Sequence, residues 1–170
     1  MSAVRQDTIV ALDEAYFEFV SDKNFPDGME YLKKYPNLIV LRTFAKIYGL
    51  AGIRIGYAAA DPDIVGLIER IRPPFNANLV AQAGAEAALR DKRHVAATVR
   101  MNNAGKKYLY RELAKLGIEC VPTQANFIFV KLKMRGGDLF AALLKKGVII
   151  RPQHGNFARI TIGTREQNAR

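Results

Sequence analysis

Asp13 closes a short apolar run, Ile9-Val10-Ala11-Leu12, and Tyr16 follows three residues later in Asp-Glu-Ala-Tyr. Lys46 lies just past a second apolar run, Leu38 to Leu41, inside Arg-Thr-Phe-Ala-Lys-Ile-Tyr-Gly-Leu-Ala-Gly, and Arg54 comes eight residues after it. Unbroken apolar runs of this length suit strands buried on both faces, as in a parallel sheet. Ligands of open α/β sheets collect outside the carboxyl ends of such strands. An acid, a phenol, an amine and a guanidinium are therefore expected at one rim. With Phe44, Ala45, Ile47 and Tyr48 around it, Lys46 is expected in apolar company, which lowers an amine's pKa and makes it a nucleophile or base. Strand-end acids and lysines that do no chemistry are also common, and pattern alone leaves that alternative open.

The elements that must hold these residues can be read off the chain. Phe25-Pro26-Asp27-Gly28 marks a turn and then a short helix to about Lys34, enough for a crossover between neighbouring parallel strands. Ile53–Ala59 is a third strand candidate. Asp61-Pro62 reads as N-cap and first residue of a helix to about Arg70, stopped by Pro73-Pro74. The character then changes. An alanine-rich and well-buried helix is expected over 79–89, followed by a longer one with Met101, Tyr108, Leu109, Leu113 and Leu116 on its apolar side, ending at Gly117. Strands are expected at 126–132, 148–151 and 159–163, with Asp138 capping a helix to Lys146. Thr164-x-x-Gln167 has the form of a capping box. The expected order is α/β first and a smaller α+β unit second, with the seam near Pro73–Leu79.

Composition bounds the classes. The 170 residues are 49% hydrophobic and 25% charged, with a single cysteine, Cys120; a chain of this size buries about 70% of its unfolded surface. Disorder, collagen-like repeats and a disulfide scaffold are excluded. No apolar run has the length of a membrane span and the first residues lack a signal peptide's apolar stretch, so a reducing, cytoplasmic setting is expected. The net charge is +10. Between Arg90 and Lys115 eight bases face two acids, Asp91 and Glu112. This raises nucleic acid as a partner, but the aromatic interleaving of a base-stacking surface is missing. A solvated helix face or attraction for small anions is the simpler reading. His94 and His154 have no partners at metal spacing, so no metal site is expected.

Asp13-Glu14-Ala15-Tyr16, Thr43 to Tyr57, Asn126-Phe127, Val148 to Pro152 and Arg159 to Asn168, in that order, resemble the fold-type-I aminotransferases (class I and II) that use pyridoxal 5'-phosphate. Within them the chain is most similar to the histidinol-phosphate aminotransferase branch. The resemblance implies residues 1–76 as the C-terminal portion of a cofactor-binding large domain with a mostly parallel sheet, and 77–170 as a small C-terminal domain. It implies that Lys46 joins the cofactor aldehyde and moves the proton at the substrate α-carbon. Asp13 would pair with the pyridine nitrogen, Tyr16 would donate to the 3'-oxygen, Ala15 would lie on the ring face, and Thr43 and Arg54 would bind the cofactor phosphate. Arg159 would bind an amino-acid carboxylate and Arg151 the substrate's own phosphate or carboxylate. Gly49 and Gly52 are expected to permit the turns between Lys46 and Arg54.

The implied reaction is amino transfer between L-histidinol phosphate and 2-oxoglutarate, in histidine biosynthesis, by a homodimer. Ala45 departs from the serine frequent in that branch. The resemblance also implies that the first half of the large domain is missing and the last helix cut short, and that these 170 residues alone are largely inactive. Other readings are an aromatic aminotransferase, a threonine-phosphate decarboxylase with the same cofactor, or a non-catalytic basic binding module.

Overall fold

The computed structural model describes residues 4, 5 and 7–170, and the chain divides into two compact units, Met1–Val95 and Ala96–Arg170. In the first unit β1 (Val10–Asp13) runs parallel to β2 (Leu38–Thr43), with Val10 opposite Leu38 and Asp13 opposite Leu41. Between them the Asp27 carboxylate accepts from Met29 N–H and starts α1 (Gly28–Tyr31). β3 (Gly56–Ala60) pairs antiparallel to β2, Thr43 opposite Gly56. The three-stranded sheet is thus mixed rather than mostly parallel. The segment from Phe44 to Ile55 holds only tight turns and one 3₁₀ turn, too little for a crossover to a parallel neighbour.

The core of this unit is built from one side of β2 and the turn after it: Leu38, Val40, Phe44 and Ile47 are all buried. Each such side chain contributes about 1.5–3 kcal/mol. β1 departs from the expectation of a strand covered on both faces, since Ala11 and Leu12 are exposed. α2 (Pro62–Ile71) starts where expected, with the Asp61 carboxylate accepting from Asp63 N–H, and stops at Arg72, which is held extended before Pro73.

α3 (Leu79–Arg90) is less buried than its alanine content predicts: only Ala81 and Ala85 are buried, while Leu79 and Val80 are exposed. The division into units falls between Val95 and Ala96. The reason lies in packing. A Cβ on Gly84 of α3 would touch Ile53 and Leu50, and His94 Nε2 lies 2.9 Å from the Ile47 carbonyl, so α3 and the first turn of the next helix pack on the loop after β2.

That next helix, α4 (Lys92–Lys115), opens with the Asp91 carboxylate accepting from His94 N–H. It closes at Gly117, whose φ of 67° is the left-handed conformation expected of a C-terminal glycine. In the second unit the strands are β4 (Glu119–Val121), β5 (Phe127–Lys131), β6 (Arg151–Pro152) and β7 (Phe157–Thr161), in the order β4-β5-β7-β6, every pair antiparallel. Ile128, Val130 and Ala158 form the core with Leu109 and Leu113 of α4 and Leu139, Phe140 and Leu143 of α5 (Gly136–Leu144).

α5 begins at Gly136 and not beside a cap at Asp138, which lies in its first turn. β6 is two residues long and later than expected. The apolar run 148–150 serves the helix end instead: Gly147 takes φ 71°, Val148 N–H donates to the Leu143 carbonyl, and Ile149 is exposed. α6 (Arg165–Ala169) carries the expected capping box, with Thr164 Oγ1 accepting from Gln167 N–H and Gln167 Oε1 from Thr164 N–H. No helix among the described residues is long and apolar enough to cross a membrane.

Candidate active site

Because β3 reverses, the ends of β1 and β2 and the start of β3 lie along one rim of the first sheet. Asp13 is the last residue of β1, and its Oδ1 accepts from Ala15 N–H at 3.0 Å. The chain then turns through Tyr16 into a 3₁₀ turn, Phe17–Phe19. On β2, Thr43 Oγ1 accepts from Ala45 N–H at 3.0 Å, and Phe44 N–H donates to the Ile55 carbonyl, which sets the approach to Arg54 beside Thr43. Lys46 sits in a turn closed by Gly49 N–H donating to the Lys46 carbonyl, and Gly49 takes φ 71°. Lys46 Nζ lies 5.4 Å from the centre of the Tyr16 ring. The sheet thereby gathers Asp13, Ala15, Tyr16, Thr43, Lys46 and Arg54 at one rim.

Two local expectations change. Lys46 is exposed; the apolar neighbours belong to the core instead, with Phe44 and Ile47 buried on either side of it and Phe44 against the rings of Tyr48 and Tyr57. Of the two glycines, Gly49 alone uses its conformational freedom. Arg54 itself takes the left-handed conformation, φ 55° and ψ 63°, with Nη1 donating to the Ala51 carbonyl at 2.9 Å. That conformation costs a non-glycine residue about 1–2 kcal/mol. Backbone strain of this kind concentrates at sites where a side chain must be aimed.

Further residues support the rim through contacts that the sequence did not foretell. Glu14 is buried, accepting from Gly28 N–H through Oε1 and from Arg42 Nε and Nη2 through Oε2. Arg42 also donates to Asp27 at 2.6 Å. Burial pulls the Arg42 guanidinium toward its neutral form, but the Glu14 hydrogen bond and the Asp27 and Glu14 charges outweigh it and hold its pKa above the ordinary value. Burial pushes the Glu18 carboxyl up, against its own backbone hydrogen bond and the Arg42 charge. The His94 ring holds the Ile47 carbonyl. Composition and spacing carry no signal for the Glu14–Arg42 pair, because it exists only once β1 and β2 are in register.

In the second unit Arg151 and Arg159 are direct partners across β6 and β7, and Phe129 lies opposite Arg159 on its other side. Opposed residues project to the same face, and like charges there are unfavourable without an anion between them. The Arg159 guanidinium lies 4.8 Å from the centre of the Phe127 ring, and its Nε is buried with no hydrogen-bond partner among the described residues. A buried donor without a partner is uncommon in folded proteins and marks a place where an acceptor could be bound. Neither arginine has a carboxylate partner among the described residues, and nor do Lys46 and Arg54, whereas Arg42, Arg72 and Arg90 are all paired. The basic helix α4 is not a uniform solvated face. Lys106 is buried and donates to the Thr123 carbonyl, and Arg111 and Lys115 both pair with Glu112. Among the described residues no group of three or more His, Cys, Asp or Glu is placed to hold a metal.

The chain is similar to several known proteins along its whole length. A histidinol-phosphate aminotransferase from Anaeromyxobacter sp. (strain Fw109-5) is 50% identical over all of this chain and 48% of that relative. One from Moorella thermoacetica is 46% identical over 99% of this chain and 45% of that relative. The chain spans about half the length of the curated relatives it matches. Among solved structures, histidinol-phosphate aminotransferase from Sinorhizobium meliloti in complex with pyridoxal-5'-phosphate superposes with a TM-score of 0.89 at 30% identity, over 99% of this chain and 48% of that one. The family model for aminotransferase class I and II matches residues 1–170. Family match, fold and a rim of acid, phenol, lysine and arginine agree, and the chain belongs to the aminotransferase class I and II family.

Proposed function

We propose that the full-length protein transfers an amino group between L-histidinol phosphate and 2-oxoglutarate, using pyridoxal 5'-phosphate, in histidine biosynthesis. The observation that carries this reading is Lys46 Nζ over the Tyr16 ring, at the rim that also holds Asp13, Thr43 and Arg54, in a chain half identical to a histidinol-phosphate aminotransferase. The residues fit the cofactor: Arg54 and Lys46 are cations with no carboxylate partner among the described residues, and Asp13 uses one oxygen locally and keeps the other. Residues 1–76 would be the end of the large domain and 77–170 the small one, the protein a cytoplasmic homodimer, and these 170 residues alone largely inactive.

Each residue then has a task. When bound, the cofactor supplies an electron sink for the pair left at the substrate α-carbon. Lys46 would hold it through Nζ and, as a free amine, would move the proton between the substrate α-carbon and the cofactor C4′. Asp13 would keep the pyridine nitrogen protonated. Tyr16 would donate to the ring oxygen and Ala15, having no bulk, would lie against the ring. Thr43 and Arg54 would hold the phosphate by charge-assisted hydrogen bonds. Arg159 and Arg151 would take an anion in both half-reactions, the phosphate of histidinol phosphate in one and a carboxylate of 2-oxoglutarate in the other.

Borohydride reduction of the full-length protein with pyridoxal phosphate, followed by peptide mapping, should place the label on Lys46. Label scattered over surface lysines, or a Lys46→Ala protein with an unchanged transaminase rate, rules the reading out.

A further inference from the structure

The backbone ladder joining β1 to β2 ends with Glu14 N–H donating to the Leu41 carbonyl at 2.9 Å. Beyond it the two chains part, one toward Tyr16 and the other toward Lys46. A side-chain link takes over at that point. Glu14 lies between Asp13 and Tyr16, and Arg42 immediately precedes Thr43. Arg42 meets Glu14 Oε2 through Nε at 3.0 Å and Nη2 at 2.8 Å, and the side chains are 11% and 5% exposed. The same guanidinium lies 4.0 Å from the centre of the Phe17 ring, in the 3₁₀ turn that Tyr16 begins, and reaches Asp27 at the start of α1. The remaining Glu14 oxygen accepts from Gly28 N–H at 2.8 Å, where a Cβ would stand 2.7 Å from that oxygen. One arginine and one carboxylate thus tie together three segments, two of which carry the candidate catalytic and cofactor-binding residues.

A buried ion pair is poor value as a source of stability, because desolvation offsets most of its attraction. What it does supply is fixed geometry, since a guanidinium gripping one carboxylate oxygen through two nitrogens permits little sliding. We propose that the Glu14–Arg42 pair is a positioning device that sets the loop bearing Asp13 and Tyr16 against the loop bearing Lys46. It rests on the aminotransferase reading above. Neither residue touches substrate or cofactor in this account; both act through the residues beside them.

The test uses full-length protein carrying Glu14→Gln or Arg42→Lys, with Glu69→Gln, which breaks the exposed pair to Arg72, as the control. Arg42→Lys keeps the cation and serves where Glu14→Gln does not accumulate folded. Three readouts are taken: far-ultraviolet circular dichroism for folding, visible circular dichroism of bound pyridoxal phosphate for ring geometry, and kcat apart from KM. Misplacing reacting groups by a fraction of an ångström to one ångström costs about ten- to a hundredfold in rate. The folded Glu14 and Arg42 variants should therefore lose about tenfold or more in kcat with KM little changed, and alter the visible band, while the Glu69 variant matches wild type. Folded variants with the wild-type band and kcat, or variants less heat-stable but unchanged in both, overturn the proposal alone. A wild-type protein that shows no cofactor band overturns the aminotransferase reading itself.

Discussion

Arg159 shows how much a single side chain can report. Its Nε is buried with no hydrogen-bond partner among the described residues, its guanidinium stacks on Phe127, and Arg151 stands directly across the strand pair. Arg159→Lys should raise the KM for the amino donor at least about tenfold, because a planar fork is replaced by a point charge. Labelling of Lys46 by pyridoxal phosphate should be unchanged, which peptide mapping checks. Lys46→Ala should lower the full-length transaminase rate more than about a thousandfold, as removing a covalent catalyst does.

Lys106 gives a test by pH. Its amine is buried against the Thr123 carbonyl, and burial holds its pKa below the ordinary lysine value. Below the folded pKa both folded and unfolded chains carry the proton, so the cost of burying the charge is fully present. As pH rises past the folded pKa toward the unfolded value near 10.5, the folded amine is neutral first and stability recovers. Urea unfolding from pH 7 to 10 should show the wild type gaining on Lys106→Met over that interval.

At the scale of elements, caps and turns were the most legible features. Asp61-Pro62 and the Thr164–Gln167 box start helices where their side chains predict, since a capping hydrogen bond is local. Strand limits were less legible. Val148–Ile150 looks like a strand by composition, yet Val148 N–H is claimed by the end of α5. β4 is too short to stand out, and nothing in the sequence says that β3 pairs antiparallel. The residues of the rim were recognisable from their types and spacing at the strand ends; the ties made by Glu14, Arg42 and His94 were not, because the partners are distant in sequence.

Adjacent glycines of α5 give a sharp check on packing. A Cβ on Gly136 would stand 2.2 Å from the Phe157 carbonyl oxygen, whereas one on Gly137 meets nothing within 4 Å. Gly136→Ala should destabilise by about 1–3 kcal/mol through overpacking. Gly137→Ala should stabilise by up to about 1 kcal/mol. Thermal unfolding of the two variants side by side tests both signs.

For the molecule as a whole, each compact unit carries one candidate set: the first gathers the lysine rim and the second sets Arg151 opposite Arg159. A substrate panel on the full-length protein should show strong preference for an imidazole-bearing phosphate ester over plain aromatic amino acids. The antiparallel return of β3 also shapes how the protein can change. With the candidate cofactor-binding side chains on one rim, the opposite rim carries connections, among them the exposed turn at Lys33-Lys34 before β2. That turn is a natural attachment point: a reporter peptide inserted there should fold outward and leave borohydride labelling of Lys46 intact.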